Sequence, residues 1–434
     1  MNILVTGLCL SRNLGGPAMG LTLEQQVKKH YPDAKLTFAI EETSWDIEKK
    51  WAKYYGFEIV RRDKLISYLA TLSGVREIKS LLKGNLKFYR ASDHFKKLHR
   101  EFMEAYRKAD VVIDLSGVTY IGDGVFGPLD ALRDYSYFHY ARANKKPFAR
   151  FIQSFGPFRT FSSRVFARRE FRHLDFIPAR GLKSASYCRE IVKDKKKVYD
   201  FPDIALLLQE AGDEWRDAYL DSKGLRAGDY IVLSPSAVIT NTILGDTSKG
   251  IGQNHVESFY RIAAYFLEKG EKLFFLPHMY TPNKVESDRV ICEEIADRLL
   301  KEGTDRNTFS VMSEDLDPRQ AKAIIAGSKM AIVARYHALV AAISSLTPVI
   351  TIGWNIKYFD LLEYYGLGKM AIDARIFTPI EILDEVKNRI TAWEEVSVTG
   401  MDALKQKQEE NIKKVNEAFN LLFKWIDRSI NKMV

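Results

Sequence analysis

The sequence predicts an α/β protein of two doubly wound domains, and three observations carry that reading. Short apolar, β-branched runs alternate with helical segments of roughly 10–15 residues along most of the chain, which is the pattern of βαβ units and parallel sheets. At 434 residues the chain is too long for one ordinary domain. A polar, charged helical stretch, Gln209–Asp229, interrupts the alternation before a fresh buried strand begins at Tyr230. The boundary is expected within Leu208–Gly228. This gives an N-terminal domain of residues 1–208, a C-terminal domain of residues 209–400, and a last segment, 401–434, read as a helix packing across the domains.

Taken in order, Asn2–Gly7 reads as a buried strand, Leu8–Gly20 as a loop containing Asn13-Leu14-Gly15-Gly16, and Leu21–His30 as an amphipathic helix. Strand, glycine-bearing loop and helix is a phosphate-cradling layout. The spacing is neither GxGxxG nor a P-loop, however, and the glycines serve equally to permit a tight turn. Strands at Lys35–Ile40 and Gly56–Val60 flank a helix, Trp45–Tyr55. Residues 61–108 form a basic helical insert, with Lys64, Lys79, Lys83, Lys87 and Arg90 among apolar residues at helical spacing. Such a run is either a solvated face over a core or a surface for a membrane or acidic partner.

Val111–Leu115 is a buried strand ending in Ser116-Gly117. A helix over Leu129–Asn144 carries His139 among aromatics, as a core residue. Strand Pro147–Ile152 breaks into Gln153-Ser154-Phe155-Gly156-Pro157, a natural ligand-facing loop. Arg164–His173 is a basic helix, Asp175–Ala179 leads to Arg180, and Lys197–Asp200 leads to Pro202-Asp203. In the second half, strands at Tyr230–Ser234, Lys272–Leu276 and Phe309–Met312 alternate with helices at Val256–Lys269, Lys284–Lys301 and Pro318–Ser328. Lys329–Gly353 then reads as one βαβ unit, whose first strand breaks into Arg335-Tyr336-His337. Ligands of open α/β sheets sit beyond the carboxyl ends of strands, where helix N-termini favour anions, so this junction suits a phosphate or carboxylate. The other reading is a capped turn with a surface arginine and a packed histidine. Leu404–Ile430 presents one apolar face of a long helix.

The totals bound the function. A content of 46% hydrophobic and 28% charged residues is that of a globular protein with a sizeable core, and no stretch reaches the ~20 apolar residues of a membrane span. MNILVTG runs directly into a strand, so no signal peptide is expected. Three scattered cysteines (Cys9, Cys188, Cys292) give no disulfide framework and no metal spacing, which implies a reduced, cytoplasmic setting. The net charge of +9 suits anionic small molecules, acidic glycans or the inner face of a membrane, with no nucleic-acid motif beside it. HExxH, CxxC and GxSxG are absent, so no metal and no serine-hydrolase chemistry is expected. The polar residues at strand ends (Asn13, Asp114, Gln153, Arg180, Asp203, His278, Arg335, His337) would converge if two α/β domains faced each other across a cleft. Two arginines and two histidines there fit a multiply charged small anion.

At these residues the chain resembles the polysaccharide pyruvyl transferases. The shared features are Asn13-Leu14-Gly15, Ser116-Gly117 with Asp123, Gln153-Ser154-Phe155-Gly156-Pro157, Arg180 with Ser184, and Pro202-Asp203. They continue with Ser234-Pro235, His278 with Asp288, Arg335-Tyr336-His337-Ala338, Thr347-Pro348 and Lys357, covering roughly residues 2–375. Gly16 stands where the family usually has Asp, and Ser116 where it usually has Gly. Both departures are expected on the acceptor side.

The resemblance implies a GT-B-like fold of two Rossmann-like domains with the site between them. It implies phosphoenolpyruvate as donor, no cofactor, and a sugar or oligosaccharide acceptor, with a lipid-linked acceptor and peripheral membrane contact left open. Arg335 is expected on the donor phosphate or carboxylate, His337 as proton donor or anion ligand, His278 as auxiliary acid/base or phosphate ligand, and Asp203 as activator of an acceptor hydroxyl or loop anchor. Arg180, Gln153, Ser154, Asn13, Gly15, Ser234, Tyr336 and Lys357 are expected to bind substrate. Two rivals stand beside this reading. One is a glycosyltransferase using a nucleotide sugar, with Asp373 or Glu381 on the ribose, and the other is a non-catalytic glycan-binding relative.

Overall fold

The computed structural model describes residues 1–11, 13–41, 45–62, 93–121, 127–240, 251–280 and 287–432. The chain divides into two compact units. The first is Met1–Ser11, Met19–Asp203 and Lys414–Val434, and the second is Arg12–Ala18 and Ile204–Lys413. The change of unit therefore falls between Asp203, the end of the Pro-Asp step, and Ile204, a few residues before the expected boundary. The early glycine loop belongs to the second unit, not to the N-terminal domain of the sequence reading.

The first unit runs β1 (Asn2–Thr6), α1 (Gly15–His30, shared with the second unit), β2 (Lys35–Glu41), α2 (Trp45–Tyr55), β3 (Glu58–Arg62), α3 (Asp93–Lys108) and β4 (Val111–Asp114). It continues with β5 (Val118–Thr119), α4 (Gly127–Ala143), β6 (Phe148–Arg150), β7 (Ser154–Phe155), α5 (Phe161–Phe171), β8 (Ile177–Arg180), α6 (Leu182–Ile191) and β9 (Val198–Phe201). Five strands form a parallel sheet in the order β3-β2-β1-β4-β6, and β5-β7 and β8-β9 are small parallel pairs. Ile3, Leu4 and Val5 are buried at the centre because a parallel strand is covered on both faces by helices. In the described part of the basic insert, α3 buries Leu98, Phe102 and Tyr106 and exposes Lys97, Arg100, Arg107 and Lys108. Residues 63–92, with the remaining lysines of that insert, and Asp123 lie outside the described residues.

The second unit runs α7 (Asp213–Asp221), β10 (Tyr230–Ser234), α8 (Ala237–Thr240), α9 (Ile251–Glu268), β11 (Lys272–Phe275), α10 (Asp288–Lys301), β12 (Phe309–Val311) and α11 (Pro318–Ala326). There follow β13 (Met330–Val333), α12 (Tyr336–Ser344), β14 (Val349–Gly353), α13 (Ile356–Glu363), β15 (Ala371–Asp373), α14 (Pro379–Thr399) and α15 (Met401–Asn431). Its six parallel strands lie in the order β12-β11-β10-β13-β14-β15, the doubly wound order in which direction reverses between the first strand and the fourth. The expected pair of doubly wound α/β domains is thus present.

Two local differences have simple causes. Helix α1 begins at Gly15 instead of Leu21, because the Asn13 side chain accepts the Gly16 N–H at 3.0 Å and draws the glycines into the first turn. Strand β15 and helix α14 went unread, since three residues and a charged surface helix give little periodic signal. Helix α15 belongs to the second unit up to Lys413, where Asn411 donates to the Tyr364 carbonyl. From Lys414 it belongs to the first, where Val415, Phe419, Leu422 and Ile426 are buried.

Candidate active site

The switch point of the second sheet lies between β10 and β13, and both strands end there in polar residues. Beyond β13, Arg335 takes the N-cap position of α12 with extended backbone, and its side chain makes no capping bond. The guanidinium turns instead to Asp288, the first residue of α10, donating from Nε at 2.8 Å to Oδ2 and from Nη2 to Oδ1. Asp288 is fully buried and also accepts the backbone N–H groups of Ala237 (2.7 Å), Met279 (2.9 Å) and His278 (3.3 Å). One carboxylate therefore ties together the ends of β10, β11 and β13. Arg335 is a half-buried cation held rigid by two of its nitrogens, with Nη1 outside that clamp.

His278 sits beside this clamp, its Nδ1 3.4 Å from the Ser234 hydroxyl. Its carbonyl accepts the Leu14 N–H at 3.1 Å, and Asn13 bridges Met279. The early loop thus lies along the end of β11. Gly15 approaches His337 so closely that a Cβ there would stand 2.1 Å from Nδ1 of the imidazole. Gly15→Ala is expected to push the His337 ring out of position and to reduce activity sharply, at a cost of about 1–3 kcal/mol in stability. Turnover and thermal melting measured on the same variant check this.

Burial, with the positive charge of His337 and Arg335, pushes His278 down from 6.5 to about 3. Burial and Arg335 do the same to His255, from 6.5 to about 3, where Nε2 accepts the Ser236 N–H at 3.1 Å. His278 is therefore neutral at neutral pH. In the unfolded chain both histidines take up a proton near 6.5, so stability is complete above that pH and lost below it. The loss is about 1.4 kcal/mol per pH unit for each histidine as pH falls from 6.5 toward 3. Urea midpoints are expected to decline steadily from pH 7 to pH 5, and His255→Gln to reduce the slope by about half.

Tyr336 is buried, edge-on against His337 and Tyr358. Lys357, near the start of α13, lies 5.1 Å over the Tyr336 ring. A residue the sequence reading missed completes the set. Lys322 of α11 is 7% exposed, and its Nζ donates to the Leu208 carbonyl at 2.6 Å. It shares a small cavity with Leu14, His278 and His337. Burial lowers it to about 8, so it is a cation whose charge responds to its surroundings near neutral pH. The signal was present in Ala321-Lys322-Ala323-Ile324-Ile325, a lysine inside an otherwise buried run.

The first-unit candidates are differently employed. Arg180 is buried, and its three nitrogens reach Ser154 Oγ (3.2 Å), Asp203 Oδ2 (2.6 Å) and the Gly117 carbonyl. Asp203 is fully buried as its counter-charge. Gln153 is also fully buried, accepting from Thr119 Oγ1 at 2.9 Å and donating to Asp114 Oδ2 at 3.0 Å. At these strand ends each named side chain has hydrogen-bond partners in its own unit. Asn13, Gly15 and Gly16 lie in the second unit, not the first. The acids named for a nucleotide-sugar enzyme are locally engaged: Asp373 receives Arg375 at 2.9 and 2.6 Å, and Glu381 receives the Thr378 N–H at 2.7 Å in a capping box. Among the described residues no group of three metal-ligating side chains is assembled, and no helix is long and apolar enough to cross a membrane.

Comparison with known proteins follows the same lines. The chain is similar to the amylovoran biosynthesis protein AmsJ of Erwinia amylovora, 22% identical over 334 residues, or 74% of this chain and 76% of that one. Among solved structures it resembles the UDP-GlcNAc 2-epimerase of Neisseria meningitidis bound to UDP-GlcNAc, with TM-score 0.58 and 9% identity over 99% of this chain and 100% of that one. It also resembles HepE of Anabaena in complex with UDP and glucose, with TM-score 0.56 and 11% identity over 99% and 100%. At these identities the likeness is one of fold, the GT-B type of two Rossmann-like units. The family model for polysaccharide pyruvyl transferase matches residues 13–356, from the Asn13 loop past the Arg335–His337 corner. That span is most of the sequence, and the chain belongs to the polysaccharide pyruvyl transferase family, transferases of polysaccharide biosynthesis.

Proposed function

We propose that the chain moves the pyruvyl group of phosphoenolpyruvate onto two hydroxyls of a sugar in a polysaccharide or its lipid-linked precursor. The product is a ketal, and phosphate is released. A proton added to the donor's methylene carbon gives an oxocarbenium-like centre. The first hydroxyl attacks that carbon and gives up its proton. The C–O bond to phosphate then breaks, and the second hydroxyl closes the ketal as its proton leaves.

The observation that carries this reading is the convergence, within one unit, of the 13–15 loop, His278, Asp288 and Arg335–His337 at the sheet's switch point. Arg335, Lys322 and Lys357 supply positive charge for a phosphate and a carboxylate, each charge-assisted bond contributing about 1.5–3 kcal/mol. His337 is assigned the proton transfer, and neutral His278 a hydrogen bond to the donor.

Phosphoenolpyruvate is expected to raise the melting temperature, by about 2.7 kcal/mol of stabilisation at a hundredfold excess over its Kd, whereas nucleotide sugars leave it unchanged. His337→Ala is expected to keep the donor-induced rise and lose phosphate release, and Arg335→Ala to lose both. A rise with UDP-sugars and none with phosphoenolpyruvate would overturn the reading in favour of a glycosyltransferase. Undiminished biological output from both variants would leave a non-catalytic glycan binder.

A further inference from the structure

Helix α5 presents a face with no counterpart in the candidate active site. Phe161, Arg164, Val165, Arg168 and Arg172 recur at steps of three and four residues, so they share one side of the helix, while Ser163, Ala167, Glu170 and Phe171 are buried on the other. Phe161 is 84% exposed and Val165 41%. At its C-terminal end the helix borders a cleft of about 400 Å³ lined by Arg168, Arg172, Lys193 and Lys197, with Ile177 and Ile191 among its apolar residues. Asp194 is the acid in that lining, and its carboxylate accepts the Lys196 N–H at 3.1 Å, capping a short helical turn.

Two features of this face must be satisfied together. Clustered cations ask for an anionic partner, and a phenylalanine in open solvent asks for a partner with apolar depth. A soluble acidic polymer answers the first alone, and a neutral glycan answers neither. A membrane with anionic headgroups answers both, with phosphates at the arginines and lysines and acyl boundary for the rings and branched side chains. We infer that α5 and the adjoining Lys193–Lys197 turn dock the protein on an anionic phospholipid surface. The inference uses no residue of the donor site, so it stands or falls apart from the proposed function. It also assigns membrane contact to a segment other than residues 61–108.

The test is cosedimentation of the full chain with phosphatidylcholine vesicles, with and without phosphatidylglycerol. Binding is expected with the mixed vesicles alone and to fall as salt is raised. Arg168→Glu/Arg172→Glu is expected to weaken it by about 30-fold or more, at roughly fivefold per charge. Phe161→Ser is expected to weaken it about tenfold. Lys269→Glu/Lys301→Glu, an equal reversal on exposed residues of the second unit, is expected to leave it unchanged. Equal binding to pure phosphatidylcholine, or equal loss in that control pair, would overturn the inference. So would competition by soluble polyglutamate together with an inert Phe161→Ser, which would assign the face to an acidic polymer.

Discussion

Replacing Asp288 by asparagine is expected to lower the free energy of unfolding by about 3–5 kcal/mol and to abolish transferase activity. The carboxylate is fully buried and serves five donors, three from the backbone and two from one guanidinium. An amide of the same shape keeps one acceptor oxygen and turns an NH2 toward N–H groups that already lack any other place to go. Arg335 loses its counter-charge in the same stroke, and the ends of β10, β11 and β13 lose the group that fixes their spacing. On the proposed function, activity is expected to fall because Nη1 of Arg335 would meet the donor anion in a fixed place only while Nε and Nη2 are held. Urea unfolding and phosphate release measured on the same preparation check both parts. A near-native urea midpoint in Asp288→Asn would mean that the clamp is ornamental and that Arg335 is positioned by something else. Arg335→Gln combined with Asp288→Asn is expected to be less unstable than the two single losses summed, since the partners act as one unit.

What was legible in the sequence follows from how local the signals are. Arg335-Tyr336-His337 could be found because a strand-to-helix junction is written in consecutive residues, and the polar triplet breaks an otherwise apolar run. Asn13-Leu14-Gly15 could be recognised as a loop of functional type, yet its unit could not, because leaving one sheet to lie along another is a tertiary event without local periodicity. Gln153, Ser154 and Arg180 stand at strand ends exactly as ligand-binding residues do. Gln153 is bonded to Thr119 and Asp114, and Arg180 to Ser154 and Asp203, and nothing in residue type announces such partners. Lys322 was overlooked for the opposite reason, since a lysine on a helix is ordinarily a solvated one. His255 shares that obscurity, its burial depending on the packing of α9 beside Ser236.

The largest expected effect in the first unit is at Arg150, which alternation alone would have passed over as the last residue of a strand. It is completely buried and pairs with Asp114 through Nη1 at 2.6 Å and with Glu170 through Nη2 at 2.9 Å and through Nε. Asp114 in turn accepts Thr6 Oγ1 (2.9 Å), Ser116 Oγ (3.0 Å) and Gln153 Nε2 (3.0 Å), so the cation lies under both the sheet's switch point and the Gln-Ser-Phe-Gly-Pro loop. Burial raises Glu170 above its ordinary value even with Arg150 beside it, which shows how much this carboxylate depends on its partner. Arg150→Met fills a similar volume but leaves two carboxylates in the interior with no cation. The expected loss is about 3–5 kcal/mol, enough to leave much of a marginally stable domain unfolded. Replacing the acids as well, in Arg150→Met/Asp114→Asn/Glu170→Gln, is expected to recover a large part of that loss, because the uncompensated charge and not the missing contact is the main cost. Urea unfolding of the single and triple variants separates the two causes. If the triple variant is no more stable than Arg150→Met, the arginine acts through its bonds to the Asp134 carbonyl and Tyr120 hydroxyl, and the electrostatic account of this core fails.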